Sequence, residues 1–409
     1  KLDQNAAIIA QHWDAAGSKD KAAIWFARAA EWSMTADYSA AIANWQKVRQ
    51  LVGPEPTNPD LIPLAIGANL QLLNLNFRVK VDLELGKTLL EEGKQLAELV
   101  GDGMLQLQQR MLYSRIQCGA GDLSGYLANA RQNLAAAQEA KDDGLQLVGT
   151  IMLIDACNYS CLYDEVIEIA DKGCKQYPRD LPREAWATGF NPYTFFAFTR
   201  GAALGWKGDH HAMLEQFEYA YKLAREDETP EVVCWLLFLR SIFATAAKDT
   251  DTARASIEEL RELSDKAGVP LNVAHRHLAD ADFAIFEERF TDACESAEKA
   301  HRFFALLERQ WEAFALMLHA RALLGDKKFD AAMEMGARAL ASAEAAGVKQ
   351  MASASQIVLA QAGMERDGHK SVDTAREQLG SARKLIEETG ANLIASSLET
   401  AEQTLQGLI

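Results

Sequence analysis

A triplet of small or apolar residues at positions x, x+4 and x+7 recurs along the chain, and most occurrences stand about 40 residues apart. The clear cases are Ala22/Phe26/Ala29, Ala41/Trp45/Val48, Tyr126/Ala130/Asn133, Val166/Ala170/Gly173, Met213/Phe217/Ala220, Ala253/Ile257/Leu260, Ala293/Ala297/Ala300, Ala332/Gly336/Ala339 and Ala375/Leu379/Ala382. A fainter one opens at Leu85/Leu89. Offsets of four and seven put three side chains on one stripe of an α-helix. A period of this length is the mark of stacked helical hairpins, each burying its stripe against its neighbours.

A second spacing interlocks with the first. Twelve residues before each opening position stand Ala10, Ala29, Ser114, Ile154, Gly201, Ser241, Ala281, Ala320 and Gly363, all small except Ile154. A small residue there lets the first helix of a hairpin approach the second closely. Three residues before the opening position a bulky residue recurs at Tyr38, Leu123, Tyr163, Phe290, Phe329 and Val372, placed to wedge the turn. Together these predict an all-α fold, a right-handed superhelix of tetratricopeptide-like hairpins (an α-solenoid), with repeats stretched beyond the usual length.

A chain of 409 residues exceeds what one ordinary core supports, and a solenoid escapes that limit. The nine prolines cluster at 54–63 and 178–192, with Pro230 and Pro270 where helices should open. The reading is one continuous solenoid: irregular repeats over 1–52, a first array over 61–177 and a second over 193–409 with a C-terminal capping helix. Hinges are expected at 53–63 and 178–192. The first two triplets are only 19 residues apart, so the helix over 20–34 should serve two hairpins. The stretch YPRDLPREAWATGFNP (177–192) loses periodicity yet holds Trp186 and Phe190, with Tyr193 just after. Its rings either pack the loop onto the hairpin below or form part of a binding surface.

Forty-two basic and 58 acidic residues give a net charge of −16, a field that repels phosphate backbones and disfavours nucleic acid. The longest apolar run, Val232–Leu239, is too short for a membrane span. Six cysteines lie inside predicted helices without disulfide spacing, so reduced thiols in a cytoplasmic protein are expected. Cys157 and Cys161, one turn apart, read as core residues rather than metal ligands. The chain opens at Lys1 without a leader or an initiator methionine, which suggests a piece of a longer protein or a processed one.

No phosphate loop, dinucleotide fingerprint or nucleophile elbow occurs in the sequence, and no cofactor is implied. His210/His211 belong to a polar turn, and His275 and His277 point to different faces of one helix. What a solenoid offers is a groove lined by the first helix of each hairpin. Counting from the repeat register, its wall holds Arg115, Asp155, Asn158, Phe198, Trp235, Phe238, His275, Asp282 and Arg321, with Met111, Ile151, Ile242 and Met317 between them. Large rings with a few charges suit recognition of a protein partner or a small ligand. Asp282 and Arg321 either meet such a ligand or pair with each other across adjacent repeats. The Lys/Asn set that grips a peptide carboxylate in some repeat proteins is missing from the matching positions.

Three segments carry a resemblance to a known family. IAQHWDAAGSKDKAAIWFARAA (Ile9–Ala30), TGFNPYTFFAFTRGAALGWKGD (Thr188–Asp209) and SARKLIEETGANLIASSLE (Ser381–Glu399) are similar to stretches of bacterial multidomain signalling proteins. In those, a class III adenylate/guanylate cyclase domain and a signal-transduction ATPase module precede a tetratricopeptide-like region, related to regulators of the MalT type. The resemblance implies a sensor or scaffold arm with ATPase/cyclase modules upstream in cis. No active-site residue of those modules has a counterpart in this sequence.

Overall fold

The computed structural model describes residues 2–34, 37–79, 82–183, 186, 190–267 and 269–409, and among them every regular element is helical. Two compact units divide the chain, Lys1–Ala140 and Lys141–Ile409. No composition break marks that boundary. Its turn, with Lys141 at φ 56° and Asp142 accepting from Leu145 N, is built like other hairpin turns of the chain.

The first unit holds α1 (Ala6–Ala15), α2 (Lys19–Ser33), α3 (Tyr38–Val52), α4 (Ile62–Val79), α5 (Leu83–Val100), α6 (Gly103–Ala120) and α7 (Leu123–Ala140). As expected, α2 packs on both α1 and α3. The second unit begins with α8 (Asp143–Tyr159), α9 (Tyr163–Gln176), α10 (Pro192–Trp206), α11 (His210–Glu226), α12 (Pro230–Ala246) and α13 (Thr250–Ala267). It continues through α14 (Pro270–Phe286), α15 (Phe290–Leu307), α16 (Arg309–Gly325), α17 (Phe329–Ala346), α18 (Lys349–Asp367) and α19 (Val372–Thr389), closing with α20 (Ala395–Leu408). Residue 80, where the sequence placed the start of α5, lies outside the described residues, as do 184–185 and 187–189.

Both spacings are read directly in the packing. Every residue of the nine clear triplets is buried, most of them completely, and so is every residue of the second register. The small residues make room for rings. A Cβ on Gly173 would lie 2.6 Å from the Phe196 ring, and one on Gly201 would meet Phe217. Of the expected wedges, Leu123 and Tyr163 are buried but Tyr38 is 41% exposed, so that position does not wedge α3. The four Gly-Asp turns also divide. Gly101, Gly121 and Gly208 adopt the left-handed backbone that glycine favours, each followed by a capping aspartate. Gly325 does not: it is the last residue of α16, where the Phe290 ring fills the space a side chain would need, and Lys327 takes the left-handed position instead.

Successive first helices touch one another, as α2 does α4, α4 does α6, and α10, α12, α14, α16 and α18 do in turn. Successive second helices make at most marginal contact. The first helices therefore line the inside of each unit's curve. Their composition follows from that position. Buried against their own partner and both neighbours, α10, α12, α16 and α18 are apolar or small around most of their circumference. The second helices α9, α11, α13 and α15 keep a charged outer stripe.

Candidate functional site

The inner face of the second unit carries two clusters of rings. In the first, Phe190 stacks on Phe195 with centroids 4.9 Å apart and meets Trp235 edge-on at 5.8 Å, while Phe198 lies 6.4 Å from Trp235. In the second, Trp311 near the start of α16 sits among Phe238 at 5.3 Å, His275 at 5.4 Å and Tyr159 at 6.4 Å. Phe238 and His275 stack nearly parallel at 4.7 Å. Pairs of this kind are worth about 0.5–1.5 kcal/mol each beyond the area they bury.

The groove residues named from the sequence fall into distinct places. Trp235 and Asn158 are half-buried; the Trp235 indole N–H and the Asn158 side-chain oxygen lack hydrogen-bond partners. Phe198 is nearly buried. Phe238, at 1% exposed, and His275, at 6%, belong to the packed wall behind the surface. Neither ring nitrogen of His275 has a partner, and burial alone lowers its pKa to about 3. Asp282 accepts a 2.9 Å hydrogen bond from Arg321, so these two pair across adjacent repeats. Burial nonetheless raises the Asp282 pKa against the opposing pull of that guanidinium. Arg115 lies in the first unit and Asp155 in the second, each already engaged.

The loop before α10 is packed down. Asp227, 6% exposed, accepts from Arg179 at 2.7 Å and from the Thr194 hydroxyl at 2.6 Å. Arg183 donates to the Asp227 carbonyl at 2.7 Å, and Asn191 to the Arg179 carbonyl at 3.0 Å. Trp186 donates to the Leu181 carbonyl at 2.9 Å and carries the Arg183 guanidinium over its ring. Of the three loop residues singled out, Phe190 joins the inner ring cluster and Trp186 packs within the loop. Tyr193 instead meets Tyr219, hydroxyl to hydroxyl at 3.2 Å, a contact that pushes its pKa up to about 12.

Sequence reasoning missed Trp311 and Tyr159. They stand at the start of α16 and the end of α8, off the stripe that the repeat count selects, and rings from other hairpins bring them to the surface. It also missed that the second unit closes on itself. The Cys161 thiol donates to Gln350 at 2.6 Å, the Gly208 turn abuts Asn392, and Tyr159 meets Trp311. Each contact joins the turn end of an early hairpin to the opening end of a late helix, as in one rising turn of a spiral.

All six cysteines are free thiols, and burial pushes Cys174 and Cys234 up to about 11. Among the described residues no cluster of His, Cys, Asp and Glu could hold a metal ion, and no helix is long and apolar enough to cross a membrane. His210 and His211, expected in a turn, instead open α11 just after its capping Asp209, beside Asp249 and Glu215.

These features define an all-α helical-repeat scaffold of tetratricopeptide-like hairpins. No protein-family model matches the chain, and no curated protein matches it. Among solved structures it is similar to a Rap protein crystallised with competence and sporulation factor, at 11% identity and a TM-score of 0.42 over 100% of both chains. Yeast Tom70 aligns at 12% identity and a TM-score of 0.36, over 99% of this chain and 96% of that one. The TPR domain of P58(IPK) aligns at 13% and 0.27, over 100% and 99%. At such scores the fold assignment rests on the packing described above.

Proposed function

We propose that the chain is a non-catalytic binding arm that takes a protein or small ligand on the inner face of its second unit. The observation that carries this reading is the half-exposed Trp235 of α12, flanked by Phe198 of α10 and by Phe190 of the loop before it. Aromatic anchors backed by packed rings are what recognition sites use, and Phe238 and His275 back Trp311 in the neighbouring cluster. Asn158 and Trp311 extend the surface, and the Asp282–Arg321 pair edges it. The acidic balance and the free thiols go with a cytoplasmic protein whose partners are not nucleic acids.

The three family-like segments support a finer version, in which the arm regulates ATPase and nucleotide-cyclase modules attached upstream. A ligand would do so by favouring one curvature or docking pose over another. The contacts at Cys161 and Gly208 are where the curvature of the second unit would change. A free-standing scaffold or adaptor is the alternative, and the reading frame upstream of Lys1 decides between them.

The test of binding is Trp235→Ala. Proteins captured by the immobilised wild-type chain from native lysate are compared with those captured by the variant, with circular dichroism as the folding control. Loss of a specific partner at unchanged helicity is expected. An identical capture profile removes Trp235 and its neighbours from the site. Phe238→Ala is unsuitable here, because it would open a cavity and cost about 3–5 kcal/mol of stability.

A further inference from the structure

Cys161 stands apart from the residues that share its backbone conformation. Among the described residues, six besides glycine take the left-handed region, all in turns between helices. Lys141, Glu228, Lys248, Glu288 and Lys327 are charged and exposed, as turn residues commonly are. Cys161, at φ 59° and 4% exposed, is neither. Glycine would hold this turn at less cost. What the cysteine adds is a thiol donating to Gln350 of α18 at 2.6 Å, across 189 residues. Two residues earlier, Tyr159 lies edge-on to Trp311 of α16 at 6.4 Å. The turn between α8 and α9 is thus built to meet two late helices.

This seam differs in kind from the packing inside and between neighbouring hairpins. Gly173 of α9 leaves no space against the Phe196 ring of α10. Cys157, one helical turn before Cys161, is fully buried, and its thiol donates to Glu165 of α9 at 3.5 Å. The seam holds instead by a thiol–amide hydrogen bond, an edge-on ring pair and the approach of the Gly208 turn to Asn392. Helices α10 to α15 lie between its two sides in the chain. Small changes of interhelical angle along them add up to a gap at the seam, while each hairpin keeps its own contacts.

We infer that the seam is a clasp: the α8–α9 turn engages and releases α16 and α18 while the hairpins stay folded. Release exposes the Cys161 thiol, bares the side of Trp311 that Tyr159 covers and carries Asn158 away from it. Only the consequence for binding rests on the function proposed above: a ligand that touches both Asn158 and Trp311 favours the closed clasp.

Pulses of N-ethylmaleimide on the full chain in native buffer test the clasp, with labelling of each cysteine read by fragment-ion mass spectrometry. Cys161 should label at least about 10-fold faster than Cys157, whose exposure requires its hairpin to unfold. Below the unfolding transition the Cys161 rate should hardly change with urea, whereas that of Cys157 should climb. Gln350→Ala and Trp311→Leu, both on late helices, should each speed Cys161 about 2–10-fold and leave Cys157 unmoved. Fraying of the turn alone would not respond to Trp311. Equal rates for the two thiols, equal urea dependence, or a Cys161 rate indifferent to both substitutions overturns the inference. Should neither variant fold, the wild-type comparison of Cys161 with Cys157 decides by itself. No ligand enters these measurements, so their failure is distinct from failure of the binding site at Trp235.

Discussion

Gly173→Ala tests the packing on which the hairpin assignment stands. Gly173 is the third residue of its triplet, buried in α9, and a Cβ built there lies 2.6, 2.7 and 2.8 Å from three carbons of the Phe196 ring. Comfortable carbon–carbon contact begins near 3.5 Å, so the ring would have to retreat by about 1 Å. It has nowhere to go, since Phe196 is fully buried and stacks on Tyr177 at 5.9 Å. Overpacking of this kind costs about 1–3 kcal/mol, and a rigid ring in a closed site belongs at the upper end. Alanine returns about 1 kcal/mol through helix propensity, leaving a net loss of about 2 kcal/mol. Gly380→Ala in α19 is the control, because a Cβ there meets nothing within 4 Å. That change should stabilise by up to about 1 kcal/mol. Hydrogen exchange read by mass spectrometry on peptides spanning 163–206 reports the local effect, which a whole-chain melt would blur. Phe196→Leu in the Gly173→Ala background should recover part of the loss. A Gly173→Ala protein as protected as the wild type would refute the close approach of α9 and α10, and with it the role assigned to small residues in the repeat.

Two further outcomes follow from single residues. Asp227→Ala removes the acceptor shared by Arg179 and Thr194. It should destabilise the loop before α10 by about 1–3 kcal/mol, measured as faster tryptic cleavage after Arg179 and Arg183. Burial holds His275 neutral to about pH 3, while the unfolded chain takes up this proton near 6.5. Below pH 6.5 the unfolded state therefore binds more protons, and stability falls as the pH drops. The loss approaches about 1.4 kcal/mol per unit, or about 2 kcal/mol by pH 5. His275→Phe keeps the stacking, and urea titrations at pH 7 and 5 should show that component of acid sensitivity removed.

The candidate surface was legible only in part, and particular residues show why. Trp235 and Asn158 could be found from the register because it marks the inward-facing stripe of each first helix. The same count also selected Phe238 and His275, which rings from neighbouring hairpins bury. Spacing states which face of a helix a residue occupies, not how far the next helix leans over it. Trp311 escaped because its environment is assembled from α8, α12, α14 and α15.

The sequence by itself determined the helices, their pairing and the buried stripe, since offsets of four and seven are local properties that hold wherever the helix goes. Only the tertiary structure decided that Cys161 meets Gln350, 189 residues away. It also decided that Asp282 spends its charge on Arg321 and that the units divide at 140/141. Those outcomes depend on small interhelical angles accumulated over many repeats, and no single repeat's spacing encodes their sum.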